Sequence, residues 1–66
     1  MRVIINGTTH EAAGRISLAQ AVGVLTSARS GVAAAVNGAV VRRAAWDTTM
    51  LADGDEVEVL TAVQGG

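Results

Sequence analysis

The chain has 66 residues, 50% hydrophobic and 17% charged, with a formal net charge of −1, which describes one small domain near the lower size that folds unaided. It is too apolar for a disordered chain and too interrupted by Gly, Asp and Arg for a membrane span, and without cysteine it has no disulfide, thiolate metal site, iron–sulfur ligation or cysteine nucleophile. Five arginines spread over Arg2, Arg15, Arg29 and the pair Arg42 and Arg43, no lysine, and Trp46 as the one aromatic residue leave no footprint for nucleic acid.

The N-terminal apolar run is too short for a signal peptide and turns polar at once, so a cytoplasmic protein is expected. Arg2 to Ile5 read as a β-branched strand that runs into Asn6-Gly7, the dipeptide of a two-residue hairpin turn. A second strand is expected from about Thr8 to Ala12. Alternation turns Val3 and Ile5 toward the core and leaves Ile4 on the opposite face. His10, with no visible partner, reads as an exposed edge histidine.

After Gly14 and Arg15, Ser17 and Gln20 form the reciprocal capping-box pattern that opens a helix. Leu18, Ala21, Val22 and Leu25 recur at helical spacing and form the face the sheet must cover. Gly23 weakens this helix by about 1 kcal/mol relative to Ala. Ser27 to Gly31 ends it. Val32 to Val36 reads as a strand closed by a second tight turn at Asn37-Gly38, with a short strand following over Val40, Val41 and Arg42. From Arg43 to Met50 no period is visible, and Trp46 reads as an anchor that packs this irregular segment onto the domain. Leu51 to Asp55 reads as a solvated turn, its acids too few for a calcium loop. In Glu56 to Val59 strict alternation points both valines inward. The same period turns Leu60 outward, and the strand runs to about Thr61 or Ala62.

Strand, hairpin, strand, helix, strand, short strand, irregular segment, strand is the order of an α+β fold, a ubiquitin-like β-grasp. A mixed sheet of four to five strands carries one main helix across one face, with the first and last strands parallel at its centre. Residues 1–62 form this domain and residues 63–66 a flexible tail. With those two strands adjacent, Ile4 and Leu60 would lie side by side on the face the helix leaves open, an apolar patch suited to docking a partner.

No nucleophile, base and orienter can be assembled, and there is no phosphate-binding glycine loop or metal cluster, so the chain does not read as an independent enzyme. What remains is Val63, Gln64, Gly65 and Gly66. A carboxylate is a poor electrophile until activated, commonly as an acyl-adenylate made with ATP by a partner enzyme. The activating pocket must admit the last residues, and two glycines thread where side chains would clash.

Val36-Asn37-Gly38, Val40-Val41, Arg43, Trp46, Leu51, Asp53-Gly54-Asp55, Val57, Val59 and the Gly65-Gly66 end together resemble the ThiS-type sulfur carriers of the ubiquitin-like superfamily. The resemblance covers nearly the whole chain. Arg42 departs from it, standing where relatives often carry proline. The resemblance implies that a ThiF-type enzyme adenylates Gly66 with ATP and magnesium, which belong to that partner, so no cofactor is expected here. Sulfur from a cysteine desulfurase persulfide would then make a terminal thiocarboxylate, which a ThiG-type thiazole synthase would use to build the thiazole of thiamine. The small subunit of molybdopterin synthase shares fold and tail, but its relatives usually carry a proline pair before the tail and this chain has no proline. Another sulfur carrier, a ubiquitin-like modifier of protein lysines and a plain β-grasp interaction module are the remaining alternatives.

Overall fold

The computed structural model describes residues 1–28 and 30–62. Strands β1 (Arg2–Ile5) and β2 (Thr8–Glu11) are followed by helix α1 (Leu18–Leu25), then β3 (Val32–Val36) and β4 (Ala39–Val41), a 3₁₀ turn over Arg43–Ala45, and β5 (Glu56–Thr61). Among the described residues the five strands form one sheet in the order β2-β1-β5-β3-β4. β1 and β5 pair in parallel, as the element order predicts, and every other pairing is antiparallel. This is the ubiquitin-like β-grasp.

The two hairpins turn at Asn6-Gly7 and Asn37-Gly38, where both residues of each pair take positive φ: 50° and 81° in the first, 50° and 85° in the second. Asn and Gly tolerate that region better than other residues, and the twist of such turns matches the twist of the strands they join. α1 begins with both bonds of the capping box, the Gln20 N–H donating to Ser17 Oγ at 3.1 Å and the Ser17 N–H to Gln20 Oε1 at 2.8 Å. It ends where Thr26 turns extended, at φ −153°.

Val3, Ile5, Leu18, Ala21, Val22, Ala34, Trp46, Leu51, Val57 and Val59 make the core, each less than a tenth exposed. Full burial of a side chain such as Ile5 or Leu18 contributes about 1.5–3 kcal/mol, so these residues carry the fold. Two apolar residues depart from the sequence expectation. Leu25 is the last helical residue, about 10 Å along the axis from Leu18, and is 45% exposed. Leu51, read as part of a turn, is fully buried, its N–H donating to the Ile16 carbonyl at 2.9 Å.

Trp46 anchors the irregular segment as expected: it is buried, and its Nε1 donates to the Val41 carbonyl at 2.8 Å. Arg43 lies over its ring, 5.4 Å from the centroid, within the range of a cation–π contact. The Asp53-Gly54-Asp55 turn is solvated, as its composition suggests, with Asp53 and Gly54 exposed, and it is also tied down by hydrogen bonds. The Arg2 N–H donates to Asp53 Oδ1 and the Gly54 N–H to the Arg2 carbonyl, each at 2.7 Å, which fastens the turn to the start of β1. Asp55 accepts from the Ala52 N–H at 2.8 Å and the Asn37 side chain at 3.1 Å. His10 lies on edge strand β2, as expected, but is half-buried instead of exposed. Its register opposite Val3 turns it to the helix side, where it borders a shallow cleft with Ile16, Gln20 and Val24.

Candidate functional site

The expected reactive end, Val63, Gln64, Gly65 and Gly66, lies outside the described residues. The strand that leads to it is described, and it occupies the centre of the sheet. Along β5, Val57 and Val59 point into the core while Glu56, Glu58 and Leu60 point out, the alternation the sequence predicts. On one side β3 holds it through five cross-strand pairs, from Val36 opposite Val57 to Val32 opposite Thr61. One residue later the Ala62 N–H donates to the Gly31 carbonyl at 2.7 Å.

On its other side β5 outruns its partner. Backbone pairing with β1 ends where the Asn6 N–H donates to the Val57 carbonyl at 2.9 Å, because the chain reverses at Asn6-Gly7. The next outlet on that side, Val59, is met by the Asn6 side chain. The Val59 N–H donates to Asn6 Oδ1 at 2.8 Å, and Asn6 Nδ2 donates to the Val59 carbonyl at 3.1 Å. Asn37, the first residue of the other hairpin turn, acts at the opposite end of the strand. Its Oδ1 accepts from the Glu56 N–H at 3.0 Å, and its own N–H donates to the Glu56 carbonyl at 2.7 Å. The sequence reading took both asparagines as turn formers alone. The signal available was the choice of Asn, whose carboxamide carries a donor and an acceptor, at the first position of both turns.

The outer face of the sheet, opposite α1, carries the expected docking residues in a different arrangement. Ile4 and Leu60 share that face but do not lie side by side. Ile4 is opposite Glu56, and Leu60 is four residues further along β5, roughly 13 Å away at ~3.3 Å per residue. The expectation assumed adjacent strands without a register, and the register separates the pair. Ile4 is half-buried, with Thr9 as its partner on β2, next to the exposed ion pair of Arg2 Nε and Glu11 Oε2 at 2.9 Å. Leu60, 71% exposed, pairs instead with Ala33 of β3. Ala35, two residues on, lies between Glu58 of β5 and Val40 of β4, which is 79% exposed. Leu60, Ala33, Ala35, Gly38, Val40 and Glu58 line a shallow depression of about 220 Å³. The apolar patch thus runs across β5, β3 and β4, away from β1, and Val40 is the exposed apolar residue of that patch which periodicity did not single out.

Among the described residues no group of three or more His, Asp or Glu side chains is placed to hold a metal ion, and no helix is long and apolar enough to cross a membrane.

The model of the ThiS family matches residues 3–66. The crystal structure of the thiamine biosynthesis protein ThiS from Geobacter metallireducens is 32% identical, with a TM-score of 0.77 and full coverage of both chains. The solution NMR structure of a thiamine biosynthesis protein from the same organism is 33% identical, with a TM-score of 0.81 over 100% of this chain and 88% of that one. No curated protein sequence matches significantly.

Proposed function

The chain belongs to the ThiS family, and from that premise we propose that it is a sulfur carrier of thiamine biosynthesis, a protein co-substrate of other enzymes and not itself an enzyme. A ThiF-type enzyme binds its tail and uses ATP and magnesium to adenylate Gly66. The carboxylate oxygen attacks the α-phosphorus, pyrophosphate leaves, and the acyl carbon becomes electrophilic. The outer sulfur of a persulfide originating on a cysteine desulfurase then attacks the acyl carbon and AMP leaves, giving an acyl disulfide. A second thiol attacks the inner sulfur, forming a disulfide and releasing the terminal thiocarboxylate. A ThiG-type thiazole synthase takes that sulfur into the thiazole ring.

The observation that carries this reading is that the family match runs through Gly65-Gly66 on a chain whose central strand leads directly to them. The domain supplies rigidity and a docking face. The tail supplies Val63, Gln64 and Gly65 as a slender thread and Gly66 as the reacting group. In the docked complex the Leu60 and Val40 patch faces the activating enzyme, with Ile4 further out on the same face. Sulfur rides on the terminal acyl group, so the carrier needs no thiol of its own.

Intact mass spectrometry of the chain co-expressed with an activating enzyme and a cysteine desulfurase tests the reading. One terminal oxygen exchanged for one sulfur is the expected result. Lysine-linked conjugates to other proteins would favour a ubiquitin-like modifier, and an unchanged mass would favour a plain interaction module.

A further inference from the structure

We propose that Asn6 is a positioning residue for the reactive terminus, its carboxamide setting the direction in which β5 leaves the domain. The inference rests on the carrier reading above and adds to it a residue far from the tail in sequence. Among the described residues, Asn6 is the one side chain that bonds both the N–H and the carbonyl of a single β5 residue, Val59. A carboxamide has the planar donor–acceptor shape of a peptide group. It therefore supplies the ladder rung that β1 would supply if it did not turn back at φ 50° and 81°.

The position of that rung gives it its consequence. Beyond Val57 the β1 side of β5 has no strand, and Leu60, Thr61 and Ala62 are held from the β3 side alone. A strand bonded along one edge pivots about that edge, and Asn6 closes the other edge at the last point before the tail. Adenylation requires a carboxylate oxygen in line with the α-phosphorus, so the aim of β5 bears on the rate of the step, while docking depends on the outer face. Asn37 provides an internal comparison, because it clamps the same strand at Glu56, far from the exit.

Asn6→Gly and Asn37→Gly each keep a residue that accepts positive φ and delete only the carboxamide. On the full chain, amide hydrogen exchange would be measured at Val59. ATP–pyrophosphate exchange with the ThiF-type enzyme would be measured as kcat and as KM for the carrier. Asn6→Gly is expected to expose the Val59 amide and lower kcat by about tenfold or more with KM within about twofold, the signature of a misaimed reacting group. Asn37→Gly is expected to hold kcat near that of the unchanged chain. Asn6→Asp, which keeps the acceptor for the Val59 N–H and loses the donor, should fall between the unchanged chain and Asn6→Gly. An undiminished kcat in Asn6→Gly, or an equal loss in both glycine variants, overturns the proposal. If the unchanged chain supports no exchange at all, the carrier reading fails instead. The Val59 amide then decides the clamp alone, and unaltered protection in Asn6→Gly overturns it.

Discussion

Gly31 sits at φ 71° where its carbonyl receives the Ala62 N–H, and a Cβ built on it would stand 3.3 Å from the Ala62 Cβ. A side chain there meets both left-handed backbone strain and a close neighbour. Gly31→Ala should cost about 1–2 kcal/mol, read as a lowered urea midpoint at unchanged slope. Gly23 is the opposite case. It is an exposed position inside α1, and a Cβ there has no atom within 4 Å. Gly23→Ala should therefore stabilise the chain by up to about 1 kcal/mol in the same measurement. A loss at Gly23 would mean that the shallow cleft it lines beside Trp46 and Thr26 needs the open space. Gly23 was legible from sequence because a helix interior is a local context. Gly31 was not, because its neighbour Ala62 is a long-range partner.

At the scale of elements, the contrast between Leu60 and Ile4 separates what alternation determines from what it leaves open. A period of two tells which face a side chain takes. It does not tell how far two strands, here about 50 residues apart in sequence, are offset along each other. Hence Val57, Val59 and Leu60 were placed correctly, whereas the patch built from Ile4 and Leu60 was not. The helix start was fully legible, since the Ser17 and Gln20 bonds span three residues. Leu51 was not, because it is buried by elements remote in sequence. On the proposed docking face, Leu60→Asp and Val40→Asp should each weaken binding to the activating enzyme by about tenfold, since each puts a charge where that interface would exclude water. Stability should change little, because both side chains are already exposed. Ile4→Asp is expected to weaken binding less, with Thr9 and Glu56 beside it. Titration calorimetry would give the affinities and thermal melts the stabilities. Ile4→Asp matching Leu60→Asp would extend the interface across β1.

For the whole molecule, the proposed division of labour between residues 1–62 and the last four predicts that docking and chemistry come apart. Among the described residues every core residue lies between Val3 and Val59, and the outer-face patch lies on β3, β4 and β5. Deleting Gly66 alters neither, so the shortened chain should melt as the full one does and keep its affinity for the activating enzyme. It would instead present the carboxylate of Gly65, one residue short of the α-phosphorus. A residue of extended chain spans about 3.3–3.6 Å, while reacting atoms must come within about 3–3.5 Å of each other, so a deficit of one residue suffices to block attack. The expected result is no ATP–pyrophosphate exchange with the shortened chain alone. Added to the full chain, it should inhibit competitively, with an inhibition constant close to the full chain's own dissociation constant. If it fails to compete, binding resides in the last residue and the outer face is not the docking surface. If it supports exchange, the terminal glycine is not the group activated.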